Sequence, residues 1–573
     1  MLDFLKNTHT LIGSLICIIL TIITLILPKY QSPALAIVDP LSVPNNKFGI
    51  HIISGSIDES SPAAELVNTN GDWGYITFLI ESSQRNEGRW QEFFNDLRRR
   101  HLIPIVRLAT KSNGHWARPY EKEYEAWADF LDKLNWPTKN RYVIVYNEPN
   151  HGAEWGGAVD PKNYARVLDQ TISALKNKNE DFFVLNAGFD ASAPQQTPNY
   201  MSEVEFLRQM NEEVPGIFDK LDGWNSHSYP NPEFIGSPDA HGRGTVRTWF
   251  WELQQLRNLG VTKNLPVFIT ETGWKHSAGV NFNPNFPSPE TVATYYTKAF
   301  SEAWNHQRIV AVTPFLLTYQ QPPFDYFSFK GHHHFHHHFH SSKNLPKVKG
   351  QPIQEHKAQL VEGEVYSSIV SGEIYNIFLK FKNIGQSIWS DQVKLTSIEG
   401  GSDLGIESIK IPSDLKIEPN QEYTFNLQVK APTSGNFKVS LNLFEGNNQF
   451  ESKPVEFTTE VKAPVILKVL TKLKWRQSPA GEYILRVSGA VGESTQKVLI
   501  DENGISEILE ARHLLPDYDF EFSLEKPYYK SVTITQKLQS GENILDFGQM
   551  QPSLLKTLLT NPKEFWNLLP WSE

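Results

Sequence analysis

The sequence predicts a multidomain chain, a closed (β/α)8 TIM barrel followed by two small all-β sandwich domains. Three observations lead there. Between residues 47 and about 320, short apolar strands alternate with amphipathic helical stretches, as in a parallel sheet covered on both faces. Eight such units in that length fit closure into a barrel. Beyond "SSKNLPKVKGQP" (341–352) the pattern changes to short strands separated by Gly, Asn and Pro turns. An open doubly wound sheet is the alternative for the first region. It normally carries a glycine-rich phosphate turn after its first strand, and "HIISGSIDESS" is not one.

The amino terminus comes first. Residues 11–27, "LIGSLICIILTIITLIL", are an apolar run behind Lys6, and Ala34 and Ala36 follow at signal-peptidase spacing. Residues 1–36 therefore predict either a signal peptide, cleaved to leave Ile37 first, or a membrane anchor, since the run approaches spanning length. Either way the chain is expected to be exported, secreted or held at the cell surface. Its only cysteine, Cys17, lies in this run, so packed cores rather than disulfides must hold the exported part. A formal charge of −10 over 573 residues gives no reason to expect a nucleic-acid partner.

The barrel, expected over 38–330, has strand candidates at 48–53, 75–80, 103–109, 142–147, 182–188, 222–229, 267–272 and 310–317. Helical patterns lie between them, for example at 88–101, 120–134, 161–176 and 289–304. Chemistry in such barrels sits at the carboxyl ends of the strands. There the sequence sets His51, Arg107, Asn147 and Glu148, then His227 and Tyr229 on one face with Asn225, then Glu271, and finally Tyr319 and Gln320. Strands four and seven lie nearly opposite each other, so Glu148 and Glu271 should face across the mouth. Two carboxyl groups flanking a cleft can hydrolyse an acetal. A gap of about 5 Å makes the second a nucleophile and retains stereochemistry, whereas about 6.5 Å or more admits a water and inverts it.

"YNEPN" (146–150), "SHSYP" (226–230) and "ITETGW" (269–274) resemble the clan A glycoside hydrolases, in that order and at those strand ends. The resemblance covers residues 47–320 and implies a retaining enzyme acting on β-linked sugars, with a poly- or oligosaccharide as partner and neither cofactor nor metal. It implies Glu148 as general acid/base, Glu271 as nucleophile and Asn147 on the sugar 2-hydroxyl. His227 and Tyr229 would orient the nucleophile and line the catalytic subsite. Glu271 must then stay ionised among hydrogen-bond donors, and Glu148 protonated in the resting enzyme.

Two departures are visible. Members commonly end strand eight with a tryptophan sugar platform, but here stands "LLTYQQPPF", so Tyr319, Trp274 or Trp155 would have to replace it. Arg107 occupies a strand-three position where many members have histidine. It would bind an acidic or heavily hydroxylated sugar, or pair with Glu271. Trp116 and Trp224 read as packing residues.

"GHHHFHHHFH" (331–340) reads as part of a flexible His-rich linker over 331–354, with metal capture as the lesser alternative. Residues 355–462, with the Asn383-Ile384-Gly385 turn, Trp389 and the Pro419-Asn420 turn, resemble an immunoglobulin-like domain. Residues 463–549 resemble the carboxypeptidase regulatory-like domain, and 550–573 form an amphipathic tail. Two functions follow. One is an exported retaining β-glycosidase, attached to a membrane through residues 11–27 if these are not removed. The other is a non-catalytic glycan-binding surface protein that keeps the barrel as scaffold.

Overall fold

Eight parallel strands follow one another in chain order: β1 (Gly49–His51), β2 (Gly74–Glu81), β3 (Leu102–Ala109), β4 (Arg141–Ile144), β5 (Phe182–Leu185), β6 (Trp224–His227), β7 (Val267–Glu271) and β8 (Ile309–Val312). They belong to a computed structural model that describes residues 37–112, 114–430, 433–489 and 492–570. The expected signal peptide or anchor at 1–36 lies outside the described residues. Among the described residues, no helix is long and apolar enough to cross a membrane. The chain divides into two compact units, Met1–Glu355 and His356–Glu573.

Strands β1 to β5 pair successively, as do β6 to β8, always parallel. Two seams close the ring. A parallel bridge joins Leu185 to Gly223 between β5 and β6, and another joins Phe48 to Val312 between β1 and β8. At the second seam the Val312 N–H donates to Lys47 O at 2.8 Å, and Leu317 N–H donates to His51 O at 2.9 Å. Alternation along each strand sorts the cores. Tyr75, Ile103, Ile105, Tyr142, Ile144, Phe183 and Phe268 fill the barrel interior. Ile76, Phe78, Val106, Leu108, Val143, Val184 and Ile269 face the helices.

Eight helices complete the units: α1 (Ile57–Asn68), α2 (Glu87–Arg99), α3 (Glu123–Asp132), α4 (Pro161–Lys178), α5 (Glu203–Glu213), α6 (Thr248–Asn258), α7 (Pro289–Lys298) and α8 (His337–Asn344). Their sequences explain where they start. The Asn86 side chain accepts the Arg89 N–H at 2.9 Å ahead of α2, and Trp90, Phe93, Phe94 and Leu97 bury one helical stripe. Before α4, Asp160 accepts the Asn163 N–H at 3.0 Å and Pro161 opens the first turn.

Helix α8 corrects the sequence reading. Residues 331–354 are not a linker, because the histidine run begins the last helix of the barrel, which packs against α7 and α1. Phe335 and Phe339, four apart, stack with ring centroids 3.9 Å apart, and Phe339 enters the helix-facing core. His338 is buried beside Tyr296 and Phe329. A neutral imidazole serves there as an aromatic filler, a use that counting histidines does not show. The following segment returns beneath the barrel, where Gly350 N–H donates to Asp72 O at 3.0 Å and Lys139 N–H to Ile353 O at 2.8 Å.

The second unit is all β apart from its end. Sheets containing Ala358–Glu364, Tyr375–Asn383 and Glu422–Val429, and Val393–Glu399, Gly435–Glu445 and Val455–Lys462, enclose one apolar cluster around buried Trp389. A second cluster lies among strands Val465–Leu473, Gly481–Gly489, Gly492–Ile500, Asp519–Glu525 and Gly541–Met550. Two short helices, Leu554–Thr560 and Pro562–Asn567, follow.

Candidate active site

Arg107 shares the inward parity of Ile103 and Ile105 on β3, so its guanidinium rises into the barrel mouth. Its Nη1 donates to Glu271 Oε1 at 2.5 Å and to Asn147 Oδ1 at 2.7 Å. Past the end of β4 the backbone turns sharply. Tyr146 and Glu148 have φ of +69° and +29°, a region that costs a side-chain-bearing residue about 1–3 kcal/mol. The turn is held by Glu148 N–H to Gly188 O at 3.1 Å and His151 N–H to Glu148 O at 2.8 Å. Gly188 is required there, because a Cβ would overlap the His227 ring.

Glu271 reaches the same mouth through an irregularity between β6 and β7. Ser226 opposes Ile269 while His227 opposes Glu271, leaving Thr270 as the extra residue. A bulge of this kind re-aims the next side chain. Without it, alternation would turn Glu271 outward with Ile269.

The imidazole of His227 stands between the two glutamates. Its Nδ1 is 2.8 Å from Glu148 Oε1 and 3.8 Å from Glu271 Oε2. The Tyr229 hydroxyl donates to Glu271 Oε2 at 3.1 Å, and His51 Nε2 lies 3.7 Å from Glu271 Oε1. One ligand atom from each of Glu148, His227 and Glu271 lies within 4.8 Å of the others.

Charge follows from these contacts. Burial pushes the Glu271 carboxyl up, but the charges of His227 and Arg107 outweigh it, with help from the Tyr229 hydroxyl, and hold it at about 2. Burial likewise opposes charge on His227, yet Glu271 and the bond to Glu148 raise it above the ordinary imidazole range. His51, wholly buried and with neither ring nitrogen hydrogen-bonded, is lowered to about 3 and is neutral. Around Glu148 stands a second group that the sequence did not single out. His151 Nδ1 is 3.9 Å from Glu148 Oε2, and its Nε2 is 2.8 Å from Asp190 Oδ2. Glu154 accepts from Asn147 Nδ2 at 3.3 Å. Burial and then the Glu148 charge push Glu154 up to about 7.

These groups open into a cleft of about 710 Å³. One wall is aromatic, formed by Phe234, Phe315, Phe324, Phe327 and Tyr319, with Trp116 elsewhere on the rim. Tyr319 thus lies where a sugar platform was expected. Trp274 does not: it is 1% exposed among Tyr295, Tyr296 and Trp304, and its Nε1 donates to Gly236 O at 2.7 Å. Trp155 is equally buried, against Tyr146 and Tyr164. Arg107 pairs with Glu271 through Nη1, one of the two uses expected of it. Asn225 sits lower on β6 as a structural group, accepting from Thr270 Oγ1 at 2.6 Å. Glu154 and His151 were legible only as neighbours of Glu148 in "NEPNHGAEW".

Glu148, His227 and Glu271 are close enough to hold a metal ion, the one such group of three among the described residues. Two features oppose a cation there. His227 Nδ1 is committed to Glu148 with its ring favoured as the imidazolium, and the Arg107 guanidinium already neutralises Glu271.

No protein-family model matches this chain, and no curated protein matches it in sequence. Solved structures give slight likenesses. A family 39 glycoside hydrolase from Bacteroides cellulosilyticus is 13% identical, covering 69% of this chain and 82% of its own, with a TM-score of 0.37. A family 51 α-L-arabinofuranosidase from Bifidobacterium longum is 13% identical, with 70% and 98% covered and a TM-score of 0.37. A family 128 endo-β-1,3-glucanase from Sorangium cellulosum is 13% identical, with 52% and 98% covered and a TM-score of 0.34. Scores this low carry no functional inference.

Proposed function

We propose that the chain is an exported retaining β-glycosidase that hydrolyses O-glycosidic bonds of poly- or oligosaccharides. The observation that carries this reading is the close approach of Glu148 and Glu271, with oxygens within 4.8 Å, in an open cleft. That spacing suits direct attack by a carboxylate and leaves little room for an intervening water. Glu271, ionised, attacks the anomeric carbon from one face while Glu148 passes the proton it shares with the His227 imidazolium to the departing glycosidic oxygen. The bond to the leaving sugar breaks as the glycosyl ester on Glu271 forms. Glu148, now a base, takes a proton from water, which attacks the same carbon and frees Glu271.

The surrounding groups suit these roles. Tyr229 and Arg107 fix both Glu271 oxygens, so little reorganisation is needed at the moment of attack. Asn147, held through its Oδ1 by Arg107 and through its Nδ2 by Glu154, presents its amide toward a sugar hydroxyl. Export rests on the sequence of residues 1–36, and N-terminal sequencing of the mature chain should begin at Ile37 if that segment is removed. The immunoglobulin-like and carboxypeptidase regulatory-like domains serve in this reading as spacers.

Turnover of a panel of aryl β-glycosides by the full chain tests the proposal. Glu271→Ala should reduce it roughly 10⁴-fold or more with the circular-dichroism spectrum preserved. Glu148→Ala should spare substrates with good leaving groups, and added azide should restore its rate as the glycosyl azide. Undiminished turnover in Glu271→Ala refutes the assignment. Saturable glycan binding by the wild type without turnover would favour the scaffold reading instead.

A further inference from the structure

Of the cationic side chains lining the cleft, two are already matched: Arg107 by Glu271 and His151 by Asp190. Lys275 is not. Its ammonium lies 4.8 Å from the Phe234 ring centroid, 5.3 Å from Phe286 and 5.8 Å from Phe327. Among the described residues it makes neither an ion pair nor a hydrogen bond. The carboxylate whose field reaches it, Glu233, is exposed and forms no ion pair with it.

The seat of this ammonium is built at a conformational cost. Glu233 and Phe234 are consecutive side-chain-bearing residues with φ of +56° and +64°. Lys275 N–H donates to Phe234 O at 3.0 Å, tying the strained turn to the loop after β7. Phe234 meets Tyr229 edge-on at 4.9 Å, and Tyr229 is the residue bonded to Glu271. Lys275 therefore stands two aromatic rings, Phe234 and Tyr229, removed from Glu271, on the wall a sugar would stack against. Ring faces partly satisfy an ammonium but leave its hydrogen-bond donors open.

We infer that Lys275 forms an anion-accepting subsite beside Glu148 and Glu271, and that the substrate carries a carboxylate or sulfate group on a sugar bound next to the cleavage point. This rests on the glycosidase reading and narrows its substrate class. Aromatic walls bind the ring face, and the ammonium selects the charged substituent. Lysine is a point charge on a flexible stem, which suits either anion and demands no bidentate geometry.

The test compares kcat/KM of the full chain on laminarin with its carboxymethylated and sulfated forms, and on hydroxyethyl cellulose with carboxymethyl and sulfated cellulose. Wild type should favour an anionic form of a hydrolysed backbone at least fivefold, and the preferred form separates carboxylate from sulfate. Lys275→Met, which keeps the stem between the rings, should lower the anionic-to-neutral ratio at least tenfold, mainly through KM. Lys275→Arg should restore part of it. A ratio that is the same in wild type and Lys275→Met overturns the subsite while leaving the glycosidase reading intact. Equal losses on neutral and anionic forms mark Lys275 as a packing residue and also overturn it. Absence of turnover on every polymer, neutral and anionic alike, and on the aryl glycosides overturns both.

Discussion

Two pairs of carboxyl groups stand in the same barrel, and their buried members meet opposite fates. At the mouth, Glu271 sits near Glu148, yet it is held at about 2. Behind β6, Glu203 on α5 and Glu252 on α6 are equally enclosed. Burial pushes Glu252 up to about 7, and burial together with its neighbour Glu252 raises Glu203 well above the ordinary carboxyl range. Glu252 accepts the Trp224 indole N–H at 3.0 Å, and Glu203 stands against Glu252. Depth alone therefore does not decide ionisation. What differs is the company: a guanidinium and a charged imidazole in the first case, another acid and an indole in the second.

Removing the cation should break this contrast with the largest effect. Arg107→Met takes away the guanidinium at 2.5 Å from Glu271 and frees Asn147 Oδ1. We expect kcat/KM on an aryl β-glycoside to fall roughly 10²–10³-fold, and the acid limb of its pH profile to move upward as Glu271 becomes easier to protonate. An unmoved acid limb would show that Arg107 does not hold the Glu271 charge.

The acid pair gives the next effect, on stability. Unfolded, both carboxyls ionise near 4.5, whereas in the fold Glu252 keeps its proton to about 7 and Glu203 is raised well above its ordinary value. The unfolded state thus binds fewer protons above that pH, and folding stability falls as pH rises. Glu203→Gln should flatten this slope, gaining on wild type by about 1–3 kcal/mol between pH 5 and pH 8. Urea unfolding at the two pH values measures it, and parallel curves would exclude the pair as a source of the slope.

Glu154 sharpens the contrast at the site itself, with the smallest effect. It is neutral below about 7 and adds negative charge beside Glu148 and Asn147 above it. Glu154→Gln should leave the rate at pH 5 within a few-fold of wild type. At pH 8 it should relieve a loss of about tenfold, which a kcat/KM profile would reveal.

The barrel was legible because each strand carries its own apolar signature, and "NEP", "HSY" and "TET" sit where strands end. Strand ends were less legible: β4 and β5 stop at Ile144 and Leu185, short of the apolar runs that announced them. There the chain leaves the sheet to make the turns that carry Asn147, Glu148 and Gly188. Helix α8 was read as linker because histidine scores as polar, and the burial of His338 and Phe339 shows only in the packing. Trp274, next to a motif glycine, looked available to a sugar, but three neighbouring aromatic rings claim it. Lys275 carried no signal in sequence, since its significance lies in a missing partner, and only packing reveals that.

The histidines of α8 have one more consequence. His336 and His338 crowd His276, with ring centroids 4.5 and 5.2 Å away, at the place where the last helix fastens the hoop of strands and helices. Burial lowers His276 and His336 to about 4 and holds His338 well below the ordinary imidazole range, so the fold keeps them uncharged where a free chain would take up protons near 6.5. Every step of acidification below that point therefore pulls on the clasp. In an acid bath the hoop should spring open at this fastening before Glu271, ionised down to about 2, ever loses its charge.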